Sequence, residues 1–129
     1  MAYDEYIADR IRLSFQEKHT AFIEKNMMGG LCFMVDEKMC CGTHFDKNKN
    51  TDLLIVRIGE QAYVEAIKRP GSHPMDFTGR SMKGYIFVDP SGFDEDDDMA
   101  YWIQLCIDFN SLAKSSKKRV IEANSKNNK

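Results

Sequence analysis

Between Pro74 and Pro90 the chain reads PMDFTGRSMKGYIFVDP, with Arg80 and Lys83 set among Gly79, Gly84 and two methionines, just ahead of the apolar run Tyr85-Ile86-Phe87-Val88. Two cations beside glycines that leave the backbone approachable are chemistry for holding an anion, a phosphate or the carboxylate of a partner. A plainer reading pairs Arg80 with Asp76 and leaves Lys83 as decoration where a strand begins. Arg57 joins the set because it closes the apolar run LLIVR just before a helix start, where a cation is less expected. Arg57, Asp76, Arg80 and Lys83 are thus the candidate contact residues.

Other reactive side chains are weaker candidates. Cys40, Cys41 and His44 in CCGTH are metal-ligand types, but adjacent strand residues are expected to point to opposite faces, and no second cluster completes a tetrahedral set. If Asp36-Glu37 is a two-residue hairpin turn, Val35 opposes Lys38, Met34 opposes Met39 and Cys32 opposes Cys41. Cys32 and Cys41 are then the candidate redox pair, although reduced, buried thiols are the default for all four cysteines. Ser72, His73 and Asp76 lie close in sequence without a nucleophile motif around them. P-loop, GxGxxG, GxSxG and HExxH patterns are missing, so neither a catalytic residue nor a cofactor nor a metal is expected. The acidic run Glu95 to Asp98 reads as the dipole-matched start of a helix.

The elements that must position these residues follow from periodicity. Ile7, Ile11 and Phe15 recur at i+4 and predict a first amphipathic helix over Asp4 to Phe15. Strand-like runs follow at Ala21 to Met27, Leu31 to Val35, Lys38 to Cys41 and Leu53 to Ile58. HFDKNKNTD is a polar loop between the last two. Gly59 to Arg69 predicts a second helix with Tyr63, Ala66 and Ile67 inward, stopped by Pro70-Gly71. Asp94 to Ala113 predicts the last helix, its stripe running Met99, Trp102, Ile103, Cys106 and Phe109 or Asn110. The order α-β-β-β-(β)-α-β-α spells a two-layer α+β domain with a mainly antiparallel sheet. Helices cover one sheet face; the other is apolar and expected to meet a protein partner or a second copy, as in a homodimer.

Charge narrows the partners. The 129 residues carry 18 basic and 20 acidic side chains. From Lys114 onward six are basic and one is acidic, leaving residues 1–113 with twelve basic and nineteen acidic, a net of −7. So acidic a body is a poor match for nucleic acid, which could be held only by the basic, flexible tail expected over 114–129. The amino terminus lacks signal-peptide character and no run is long enough to span a bilayer, so a cytoplasmic location is expected.

Four blocks, YDEYIADRIR, KNMMGGLCFMVDEKMCCG, LLIVRIGEQAYVEAIKRPG and HPMDFTGRSMKGYIFVDPSG, occur in the order and spacing of the amino-terminal domain of the TfoX/Sxy family, which the chain resembles over Ala2 to Ala113. That resemblance implies a bacterial protein with a two-layer α+β fold similar to secretion-chaperone-like domains and no known enzymatic activity. It further implies a role in regulating natural competence, as a coactivator working with the cyclic-AMP receptor protein, so that a transcription regulator or polymerase is the expected partner. The chain departs from the family at Met28, at the Asp36-Glu37 turn, in the KNKN loop, and at Ser81 and Tyr85. The competence regulators also carry a second domain where this sequence has its basic tail. The expected function is a non-enzymatic interaction module accessory to transcription, the alternative an anion- or ligand-binding protein or enzyme with its site at Arg80 and Lys83.

Overall fold

The structure, a computed structural model, describes residues 3–27, 29–77 and 80–113, with the side chains of Asp76, Phe77, Arg80 and Ser81 excepted. Helix α1 (Glu5–Glu17) leads into β1 (Ile23–Met27), β2 (Gly30–Val35), β3 (Lys38–Asp46) and β4 (Thr51–Arg57). Helix α2 (Gly59–Ala66), strands β5 (Ser72–Phe77) and β6 (Arg80–Val88), the short α3 (Pro90–Phe93) and α4 (Asp96–Asn110) complete the order. The α+β architecture expected from the sequence is the one observed. Its sheet has six strands, all antiparallel neighbours, in the order β1-β2-β3-β4-β6-β5.

Local chemistry sets the element ends. The Asp4 carboxylate accepts the Tyr6 N–H at 2.7 Å and caps α1. Asp36 and Glu37 both take positive φ, 55° and 63°, the backbone of a two-residue hairpin turn that matches strand twist. The loop expected between β3 and β4 is shorter than its polar composition suggests. Both strands run on to Asp46 and from Thr51, and the Asp46 carboxylate closes the turn on the N–H groups of Asn48 and Lys49. Strand β5 and the short α3 are the elements that the periodicity does not predict. Strand β5 carries Pro74, which a ladder tolerates at an edge, and β5 is an edge strand.

One sheet face and the four helices enclose the main core. Leu31, Phe33, Leu54, Val56, Ile86 and Val88 meet Ile11 and Phe15 of α1 and the predicted stripe of α4, where Met99, Trp102, Ile103 and Cys106 are buried. Asn110, not Phe109, is the buried residue that ends that stripe. Phe15, Phe22 and Phe33 form a three-ring cluster with centroids 5.2 to 5.9 Å apart, joining α1 to β2. Arg12 grips Glu24 with both prongs, at 2.6 and 2.8 Å, and so pins α1 to β1. On the other sheet face Leu53, Ile55, Met75 and Phe87 form a second buried cluster with Met39, Met82 and Tyr85 packed against it. Among the described residues no helix is long and apolar enough to cross a membrane.

Trp102 is the largest fully buried side chain, and its indole N–H donates to the Gly92 carbonyl at 3.0 Å. Gly92 has no room to give. A Cβ there would lie 2.5 Å from Val88 and 2.7 Å from the Pro70 carbonyl. Arg10 closes the other side by donating to the carbonyls of Phe93 and Asp94 at 2.7 and 3.1 Å. Trp102→Phe leaves the buried Gly92 carbonyl without its donor and opens a void. The expected loss, read by chemical denaturation, is about 2–3 kcal/mol of stability; a loss under about 0.5 kcal/mol, within the range of inert surface changes, would contradict this role.

Candidate functional site

The sheet ends abruptly after Arg57. Gly59 turns the chain into α2 at φ +84°, and Gly84 at φ +86° carries β6 past it. Both positions sit in the left-handed region that glycine adopts without steric cost. Neither has space for a side chain: a Cβ on Gly84 would stand 3.0 Å from the Gly59 Cα, and one on Gly59 would meet the Phe109 ring at 2.5 Å. The Ile58 N–H donates to the Gly84 carbonyl at 2.8 Å and ties the two segments.

This close approach builds a cleft of about 180 Å³ at the junction of β4, β6, α2 and α4. Arg57, opposite Tyr85 in the ladder, stands over two aromatic rings, 5.6 Å from the Tyr85 centroid and 5.7 Å from Phe109. Such stacking holds the guanidinium in place. Lys83 lines the same cleft, is exposed, and makes no ion pair among the described residues. Helix α2 begins here with no side chain capping its first turn, so its positive end adds to both cations. Among the described residues Glu60 is the one carboxylate on the rim.

Arg57 and Lys83, singled out separately in the sequence, are therefore brought together. Asp76 and Arg80 belong to the β5–β6 hairpin, where the backbone sets Asp76 opposite Ser81 and Phe77 opposite Arg80. Their side chains, and with them the pairing of Asp76 with Arg80, lie outside the described residues, as does the 114–129 tail. Between Pro74↔Ile86 and Asp76↔Ser81 the register shifts, β5 advancing two residues while β6 advances five. Lys83 and Gly84 fall in that irregular stretch, free of regular pairing with β5. Phe109 and Tyr85 are the site residues that sequence reasoning missed. Phe109 was weighed only as a core residue of the α4 stripe, and the phase that buries Asn110 is the signal that turns it toward Arg57.

The cysteines correct two expectations. The β2–β3 ladder runs as predicted through Val35↔Lys38 and Met34↔Met39, then slips, and Phe33 faces Cys41 while Cys32 faces Gly42. The slip is a β-bulge with Cys40 as the extra residue, so Cys32 does not oppose Cys41 and the candidate redox pair is not formed. Cys32 instead lies 3.6 Å from the Met34 sulfur. The bulge also cancels strand alternation at Cys40 and Cys41, which share the main core rather than opposite faces. Cys106 of α4 completes a trio. Hydrogen bonds with Cys106 and then Cys41 hold the Cys40 thiol below the usual range, whereas burial pushes Cys41 and Cys106 well above it. All four thiols are free and buried.

Ser72 and His73 do not pair with each other, and the Asp76 side chain lies outside the described residues. The Ser72 hydroxyl donates to the Ala66 carbonyl, and His73 Nε2 pairs with Asp89 at 2.7 Å. Asp89 is the hub: it also accepts the N–H and hydroxyl of Ser91, capping α3. Ser72 is thus turned to a backbone carbonyl, and Ser91 meets the acid rather than the imidazole. His44 stacks on Phe87 at 5.6 Å. The acidic start of α4 is partly paired, Asp96 with Arg10 and Asp98 with Arg69. No group of three metal-ligating side chains converges among the described residues.

Two measurements follow. Ellman titration of the native protein should show almost no fast thiol, with all four appearing in denaturant; a fast-reacting native thiol would contradict the burial described. Burial alone would raise the Asp89 carboxyl, but the hydrogen bonds from His73 and Ser91 outweigh it and hold it below its ordinary value. The stability this supplies is present above the unfolded carboxylate pKa of about 3.9 and is lost as pH falls through the lower folded value. Asp89→Asn should therefore be less stable than wild type at neutral pH, the gap closing below about pH 4; a gap independent of pH would exclude the ionised carboxylate as its source.

No curated protein gives a significant match. The family model of the TfoX N-terminal domain matches residues 15–110, from the last turns of α1 through the end of α4. That span holds the whole sheet, Arg57 and Lys83, and about three-quarters of the chain, and on it the chain belongs to the TfoX N-terminal domain family.

Proposed function

We propose that this protein is a non-enzymatic interaction module, acting in the cytoplasm as an accessory to transcription regulation, and that it contacts its partner through the Arg57–Lys83 cleft and the neighbouring β5–β6 hairpin. The observation that carries the reading is the convergence of two cations and a helix start in one open cleft. Membership of the TfoX N-terminal domain family fits a competence- or regulation-associated protein. Size favours a partner's side chain over a metabolite. At about 180 Å³ the cleft is smaller than the roughly 300–1,000 Å³ usual for drug-sized ligands, yet ample for a carboxylate. Asp76 and Arg80 belong to the same hairpin as Lys83 and are included in the proposed contact. By family resemblance the partner is a transcription regulator or polymerase.

The test is affinity capture from nuclease-treated native lysate, with wild type and Lys83→Glu in parallel. Lys83 is exposed and unpaired among the described residues, so its reversal leaves the fold intact. The expected result is a transcription regulator or polymerase subunit held by wild type and lost by the variant. Identical captures would overturn the site. A thermal-shift screen with phosphates, nucleotides and small carboxylates is expected to give no stabilisation; a clear hit reversed by Lys83→Glu would replace this reading with the ligand-binding one.

A further inference from the structure

A second, mainly apolar hollow of about 400 Å³ opens between α2 and α4, with Ile58, Ala62, Leu105, Phe109 and Leu112 among its walls. The charged side chains that line it are both acidic. Glu60 and Asp108 are exposed, and Glu60 makes no hydrogen bond or ion pair among the described residues. Asp108 accepts the Gln104 amide at 2.8 Å on one carboxylate oxygen. The last turn of α4 holds no basic residue, so the negative end of that helix is left to whatever follows it. Leu112 stands in the wall 74% exposed, although it is a large apolar side chain. One residue later the described chain ends at a fixed point, where the Ala113 N–H donates to the Phe109 and Asn110 carbonyls at 3.0 and 3.1 Å.

We infer that the occupant of this hollow is the chain's own carboxy-terminal segment, with Val120 and Ile121 seated between α2 and α4 and Lys117, Lys118 and Arg119 set against Glu60 and Asp108. The inference goes beyond the partner reading and does not depend on it, because the cationic cleft is left to the partner. Charge and order of side chains select the segment. Val120-Ile121 is the only pair of large apolar residues from Lys114 onward, and it follows directly on three consecutive cations. An apolar trough with an acidic rim is complementary to that order. Arg57 and Lys83, which would repel such a segment, line the neighbouring cleft and not this hollow. The positive start of α2 shares the wall, but Glu60 stands in its first turn and offsets it. Reach is sufficient. Val120 lies seven residues beyond Ala113, which an extended chain carries as far as about 23 Å. Tethering also raises the segment's effective concentration to about millimolar, so a contact too weak to hold a free peptide is kept here. Burial of the apolar pair contributes what exposed ion pairs alone do not.

The test is paramagnetic relaxation enhancement on the full chain, with a nitroxide attached at Glu122→Cys; the four native thiols are buried and resist the label. The expected result is selective broadening of the Ile58, Ala62 and Leu105 amides. That broadening should vanish in the double variant Val120→Asp, Ile121→Asp, and weaken severalfold in Glu60→Lys. These changes fall in the tail or at an exposed position, and unchanged amide shifts in the sheet would show that the fold is kept. Broadening confined to the last residues of α4, or broadening that survives the double variant, would overturn the docking. A Glu60→Lys variant that broadens like wild type would overturn the part given to charge. Isotope-labelled chain mixed with unlabelled, nitroxide-bearing chain should stay sharp; broadening in that mixture would give the hollow to the tail of a second copy and overturn the intramolecular contact. None of these results decides the lysate capture, so this inference and the partner reading fail separately.

Discussion

The contact on which the site depends is the approach of two backbones at Gly59 and Gly84. Because neither residue has a side chain, α2 starts directly off β4, β6 passes beneath it, and the Phe109 ring closes in from α4. Four elements meet at that point, and the cations on β4 and β6 come with them. A methyl group at either glycine would force the segments apart, and the positive φ of both would strain any other residue. The cleft is thus a consequence of backbone packing, with Arg57 set between rings that the fold places for other reasons.

The rest of the molecule holds that junction still. Trp102 locks α4 to the Gly92 turn, and Gly92 is itself wedged against Val88 and the Pro70 carbonyl. Arg10 clamps the link between α3 and α4, and Arg12 clamps β1. These are buried or half-buried contacts of defined geometry, the kind that fix element positions, whereas exposed ion pairs such as Lys68 with Glu65 contribute little. A contact surface gains from such rigidity, since less order has to be imposed when a partner arrives.

Much of this architecture was legible because one period dominates each long element. The i+4 recurrence of Ile7, Ile11 and Phe15 sets α1, and the stripe from Met99 to Cys106 sets α4. Asp36-Glu37 is readable as a turn from the strands on either side, even with side chains that resist positive φ. What escaped are features that period cannot carry. One inserted residue, Cys40, shifts every later partner of β2 and undoes the Cys32–Cys41 opposition. Strand β5 hides behind His73 and Pro74, residues of low strand propensity that an edge tolerates. Arg57 stood out because a cation at the end of an apolar strand needs a reason. The reason, Phe109, lies two elements and an irregular hairpin further along the chain, where only the packed structure could reveal it.

The central claim is that the protein meets its partner where β4, β6, α2 and α4 converge. The most direct measurement is a proton–nitrogen NMR titration of the labelled chain with the partner recovered by capture. The account predicts shifts concentrated at Arg57, Gly59, Glu60, Lys83 and Gly84 and extending to Phe109. Shifts centred instead on α1 and β1, with the convergence untouched, would contradict it.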